Sequence, residues 1–162
     1  MVAVNKIRRP SETSKIYVHI GRCSADAVTG ELFFPGTGKS AHFIGLDELL
    51  SVTETVLDEL SYPQPTFQHR TFHERITRKR KERDCIVQEH EEDKEESELK
   101  KLGNDATFVI HVKYRQNATW QGEIKWVSRD KAQYFRSDLE LVRLIEDALD
   151  EEFGEVPKIK WD

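Results

Sequence analysis

Residues 15–59 and 107–151 can be laid on one another at a shift of 92 with no gap, and this constrains the fold more than any other feature. Eleven of the 45 pairs are identical: His19/His111, Gly30/Gly122, Glu31/Glu123, Lys39/Lys131, Phe43/Phe135, Glu48/Glu140, Leu49/Leu141, Glu54/Glu146, Leu57/Leu149, Asp58/Asp150 and Glu59/Glu151. Ordinary composition would give about three. Other pairs keep their character, among them Val18/Ile110, Leu32/Ile124 and Phe34/Trp126. A chain that repeats itself is expected to repeat a supersecondary unit.

The second stretch shows what that unit is. Phe108, Ile110, Val112 and Tyr114 alternate with Val109, His111, Lys113 and Arg115, the period of a half-buried strand. Arg115–Thr119 reads as a polar connection, and Trp120, Gly122, Ile124 and Trp126 share one face of a returning strand. A third short strand ends at Phe135. Ser137-Asp-Leu-Glu140 then has the pattern of a capping box, in which hydroxyl and carboxylate satisfy each other's orphan amides. Leu141, Val142, Ile145, Ala148 and Leu149 follow at helical spacing, and Gly154 suits a stop.

The first stretch predicts strands over residues 16–22, 28–34 and 40–43. A helix over 46–60 follows, carrying Leu49, Leu50, Thr53, Val56 and Leu57 on its apolar stripe. The fold expected is α+β, a tandem duplication of a β-β-β-α unit with one helix on one face of an antiparallel sheet. The organisation is an N-terminal arm (1–14), a first unit (15–62), a charged connector (63–106), a second unit (107–154) and a tail (155–162). Units this small are expected to share a core, either through their sheet edges or through their faces. The connector holds a basic run, Arg78-Lys-Arg-Lys-Glu-Arg83, and an acidic one, Glu89–Glu96. Blocks of like charge are read as solvated, with an exposed helix as the alternative, while Thr66–Phe72 reads as an extended stretch packing on the first unit.

Composition excludes several function classes. A net charge of -5 gives no global basic field for nucleic acid or anionic lipid. No apolar run approaches the roughly 20 residues of a membrane helix. Cys23 and Cys85 are too few for a disulfide framework, and free thiols fit a cytoplasmic, reducing location. Pro35-Gly-Thr-Gly-Lys-Ser40 looks like the tail of a P-loop, yet Phe33 stands where the first glycine belongs. His69 and His73 have helical ligand spacing but lack a third partner, so no metal or other cofactor is expected.

If the hairpins centre on Ala25 and Asn117, His19 faces Glu31 and His111 faces Glu123 across neighbouring strands, all pointing away from the helices. A repeated outward His/Glu pair without a nucleophile suggests recognition rather than catalysis. The expectation is a non-enzymatic protein-interaction module whose binding residues are His19, Glu31, His111 and Glu123, contacting a protein partner or a second copy. Two alternatives remain: a nucleic-acid binder using Arg78, Lys79, Arg80, Lys81 and Arg83, and a small-molecule-binding protein or enzyme.

The run Tyr114-Arg-Gln-Asn-Ala-Thr-Trp-Gln-Gly122, continued by Phe135-Arg-Ser-Asp-Leu-Glu-Leu141, resembles small uncharacterised bacterial proteins of the Firmicutes type. That resemblance covers about 45 residues, implies the βββα unit and a bacterial source, and carries no activity. In outline the doubled unit also resembles nucleic-acid-binding PUR repeats, which have a fourth strand that is not legible here.

Overall fold

In the computed structural model, which describes residues 14–24, 27–66, 70, 72, 88–89 and 106–154, the predicted periods become strands and helices in the expected order. The strands are β1 (Lys15–Cys23), β2 (Val28–Phe34), β3 (Lys39–Ile44), β4 (Gln88–Glu89), β5 (Phe108–Tyr114), β6 (Gln121–Trp126) and β7 (Lys131–Phe135). Helix α1 (Leu46–Leu60) follows β3, and α2 (Asp138–Phe153) follows β7. The architecture is α+β: one antiparallel sheet in the order β4-β3-β2-β1-β5-β6-β7, with the two helices covering its inner face.

The halves join by their sheet edges. β1 and β5 pair through Lys15–His111, Ile16–Ile110, Tyr17–Val109 and Val18–Phe108. Val109 lies 92 positions beyond Tyr17, so the pairing is centred on equivalent residues and the seam has a local two-fold. Alternation then does the rest. Ile16, Val18, Leu32, Phe34 and Phe43 join Phe108, Ile110, Ile124, Trp126 and Phe135 in one continuous core under Leu49, Leu57, Leu141, Ile145 and Leu149. Burying each such side chain is worth roughly 1.5–3 kcal/mol, and edge-to-edge joining lets both helices share that gain.

Several identical residues have structural reasons. Gly30 pairs with Phe43 and Gly122 with Phe135 on the neighbouring strands. A Cβ at Gly30 would lie 2.1 Å from the His19 carbonyl oxygen and 2.9 Å from the Phe43 ring; at Gly122 it would lie 2.0 Å from the His111 oxygen and 3.1 Å from the Phe135 ring. Each glycine therefore admits a close strand and an aromatic lid. The register slips between Ile20 and Arg22 in β1, and between Val112 and Tyr114 in β5, placing a bulge at corresponding positions. Gly38 and Asp130, again 92 apart, both adopt positive φ in the β2–β3 and β6–β7 turns.

The capping box departs from expectation. Ser137 does accept from the Glu140 amide at 3.1 Å, but the Glu140 carboxylate reaches one residue further back, to the Arg136 amide at 2.8 Å. Glu48 does the same to the Ile44 amide at 2.6 Å. In the first half the nearer amide, that of Gly45, already donates to the Val28 carbonyl at 2.7 Å. Leu50, expected in the core stripe, is only half-buried, and Val52 takes the buried place. The connector also differs from its solvated reading where it is described: Gln88 and Glu89 form β4, pairing with Ser40 and Lys39 at the edge of β3. Pro65 and Thr66 lie against the second half, with the Thr66 amide donating to the Arg115 carbonyl at 3.2 Å, and Pro65 also shares a cleft with Leu50 of α1, while residues 67–69 and 71 lie outside the described residues.

Candidate functional site

The predicted His/Glu register is present. His19 is paired with Glu31 and His111 with Glu123, on the sheet face turned away from the helices. Among the described residues no hydrogen bond joins either histidine to its glutamate; Glu123 instead meets Lys113 at 3.4 Å. Burial, with Lys113 and Lys15 adding to it, holds the His111 imidazole below its ordinary range, and Glu123 only partly opposes them. Across the sheet His111 lies between Lys15 of β1 and Glu123 of β6.

The outer face is not uniform. In the first half Tyr17 stacks on Phe33 with ring centroids 6.1 Å apart, and Phe33 is only 5% exposed although it points outward. Its neighbour Ser40 is equally covered. In the second half Tyr114 and Tyr134 stand 58% and 70% exposed, with the Lys113 ammonium 5.2 Å from the Tyr134 ring centre. Trp120 and Trp126 lie on the inner face and are buried, as their parity predicts.

Arg115 is the functional-looking residue that sequence reasoning missed. Expected in a polar connection, it is 2% exposed and carries a full set of partners from the first half. Its guanidinium donates to the Asp58 carboxylate at 2.7 Å, the Glu54 carboxylate at 3.3 Å, the Pro63 carbonyl at 2.6 Å and the Leu57 carbonyl at 3.4 Å. Helix α1 has no basic residue in its last turn, so this arginine supplies the cation that the helix terminus favours. Glu54 also accepts from the Trp120 indole N–H. The signal was in the repeat: two acids one turn apart on α1, each identical in α2, flank an apolar stripe and call for a cation. The equivalent of Arg115 in the first half is Cys23, half-buried, whose thiol is pushed up by burial and by the Asp150 carboxylate.

Beside Arg115 a partly open cleft of about 200 Å³ runs between α1, the β5–β6 turn and the start of α2. Leu50, Pro65, Ala118 and Trp120 give it apolar walls, and Glu54 and Asp138 bring carboxylates. Asp138 is fixed by Thr119: one carboxylate oxygen accepts from the Thr119 hydroxyl at 2.9 Å and the Trp120 amide at 2.8 Å, and the Asp138 amide donates back at 2.8 Å.

Pro35–Gly38 forms the turn between antiparallel β2 and β3, and Lys39 pairs with Glu59 at 3.2 Å, so the P-loop likeness is a glycine turn. Arg78, Lys79, Arg80, Lys81, Arg83, His69 and His73 lie outside the described residues. Among those described, no group of three metal-ligating side chains converges and no helix is long and apolar enough to cross a membrane. No protein-family model matches the chain, and no curated protein or solved structure is significantly similar to it.

Proposed function

We propose that this chain is a non-enzymatic protein-interaction module, built by tandem duplication of one βββα unit, whose contact surface is the outer sheet face of the second half. The single observation that carries the reading is the contrast across that face. Phe33 and Ser40 are covered in the first half, whereas Tyr114 and Tyr134 are open in the second, around His111 and Glu123. Exposed tyrosines on a rigid sheet suit a protein interface, where aromatic residues are enriched. The local charges favour a protein over a polyanion, because Lys113 is offset by Glu123 and Lys125 by Asp130 at 2.9 Å. Duplication is supported by the shared bulges, glycine–phenylalanine pairs and cap hydrogen bonds at a constant offset.

The test is affinity capture by the full chain from its own cells, with proteins and nucleic acids both identified. Tyr114→Ala with Tyr134→Ala, and separately His19→Ala with His111→Ala, are expected to lose the captured protein. Undiminished capture by both variants refutes the outer-face reading. Oligonucleotide retained in a salt-dependent way, and lost when Arg78, Arg80 and Arg83 become glutamine, would move the function to the basic run instead.

A further inference from the structure

We propose that the outer edge of β7 accepts an extended, acidic peptide strand from a partner protein. The inference adds a second surface to the outer-face reading. It stands whether or not that face binds, because it rests on the backbone and charges of an edge strand.

The sheet supplies the first observation. Among the described residues β7 pairs with β6 on one side and with no strand on the other. Lys131, Ala132, Gln133 and Tyr134 are exposed along it. An edge of this kind offers amide and carbonyl groups to an extended chain.

The first half shows what such an edge takes. β3 is the counterpart of β7 at the shift of 92, and β4 runs antiparallel beside it. Glu89 stands in register with Lys39, and Gln88 with Ser40. Lys39 recurs as Lys131. A lysine on an edge strand tends to discourage pairing, yet at Lys39 a strand is taken with an acidic residue opposite. Gln88 and Glu89 are spent on β3, so the matching strand for β7 comes from elsewhere. The residues beyond Gly154 suit it poorly: Pro157 has no amide to donate, and Lys158 and Lys160 follow it.

Charge gives the sign of the partner. Lys39 is bridged within its own half to Glu59 at 3.2 Å. Lys131 makes no such bridge to Glu151, the counterpart of Glu59, and Arg129 has no carboxylate partner among the described residues. Both cations lie instead over the Trp126 ring, 5.9 and 5.4 Å from its centre. Acids on the flanking elements are engaged: Asp130 with Lys125 at 2.9 Å, Glu123 with Lys113 at 3.4 Å and Glu140 with Arg136 at 3.2 Å. The β7 of a second copy would only double the two free cations. An acidic strand neutralises them and completes the ladder.

The experiment uses the full-length chain and a blocked, fluorescein-labelled peptide that alternates glutamate with threonine, followed by fluorescence anisotropy. Saturable binding is expected, and the same peptide with lysine for glutamate should bind at least about tenfold more weakly. An N-methylated version keeps the charge but cannot donate the ladder hydrogen bonds, and it should lose binding to a similar degree. Arg129→Gln with Lys131→Gln, both at exposed positions, should weaken the acidic peptide about tenfold. In ¹⁵N-labelled protein the peptide should slow hydrogen exchange of the β7 amides. The proposal is overturned if the acidic peptide does not bind, or if the lysine or N-methylated peptide matches it. It is equally overturned if the double variant binds like the parent chain. Protection of β7 that rises with protein concentration in the absence of peptide would overturn it as well, by giving the edge to a second copy.

Discussion

The two helices carry the same pair of acids, Glu54 and Asp58 on α1 and Glu146 and Asp150 on α2, yet they meet different groups from the opposite half. On α1 the pair grips the buried Arg115; on α2 the corresponding place holds Cys23, a thiol that Asp150 helps keep protonated. The comparison teaches that one backbone plan can carry two different contacts between its halves. One is an ionic latch with a cleft beside it. Across the outer face the same divergence appears, with Phe33 covered where its counterpart Lys125 is exposed.

The largest expected effect breaks this contrast at the latch. Arg115→Ala leaves two carboxylates and two backbone carbonyls without their cation, and breaking a buried pair from one side costs about 3 kcal/mol at the lower end of the usual range. Partial exposure of Glu54 and Asp58 argues for that lower end. Urea unfolding followed by far-ultraviolet circular dichroism would measure it, and a loss below about 1 kcal/mol would contradict the latch.

Next come the features the halves share. Gly30→Ala and Gly122→Ala each drive a methyl group into a partner-strand carbonyl, which should cost about 1–3 kcal/mol through forced backbone shifts. The two losses should agree closely. A large cost in one half and none in the other would show that the glycine–phenylalanine pairs are not equivalent.

The smallest effect is electrostatic. His111 should titrate below an ordinary histidine in an NMR pH series, and Lys113→Met should raise it toward the usual value, since Lys113 is one cause of the depression. The sign for stability follows from the lowered value. Folding gains from a neutral His111 above the unfolded histidine pKa near 6.5, and that contribution disappears as pH falls through the folded value. Lys113→Met should accordingly flatten the loss of stability on acidification.

Much of this was legible in the residues. Strand period predicted β1, β2, β5 and β6, and the hairpin centres gave the His19–Glu31 and His111–Glu123 register. Ser137 marked the start of the second helix. Local patterns could not choose how the halves join, because an open strand edge and an apolar face both seek partners and only the assembled sheet decides between them. Arg115 was hidden for a related reason. A turn arginine is solvated by default, and what buries it is a helix some 60 residues earlier in sequence. The matching acids of the two helices held the clue, but a cation for them had to be sought in the other half. The Glu48 carboxylate reached past the expected amide because Gly45 already donates to Val28 on β2, a partner that no short motif encodes.

The seam between β1 and β5 also has a consequence for how the chain is made. While a ribosome is still adding residues beyond the first half, the β1 edge has no neighbour and stays open as a template for any passing strand. The nearest chemically correct substitute is the β5 of another nascent chain. Crowded synthesis should therefore favour reciprocal exchange of halves, giving swapped dimers that keep every native strand pairing.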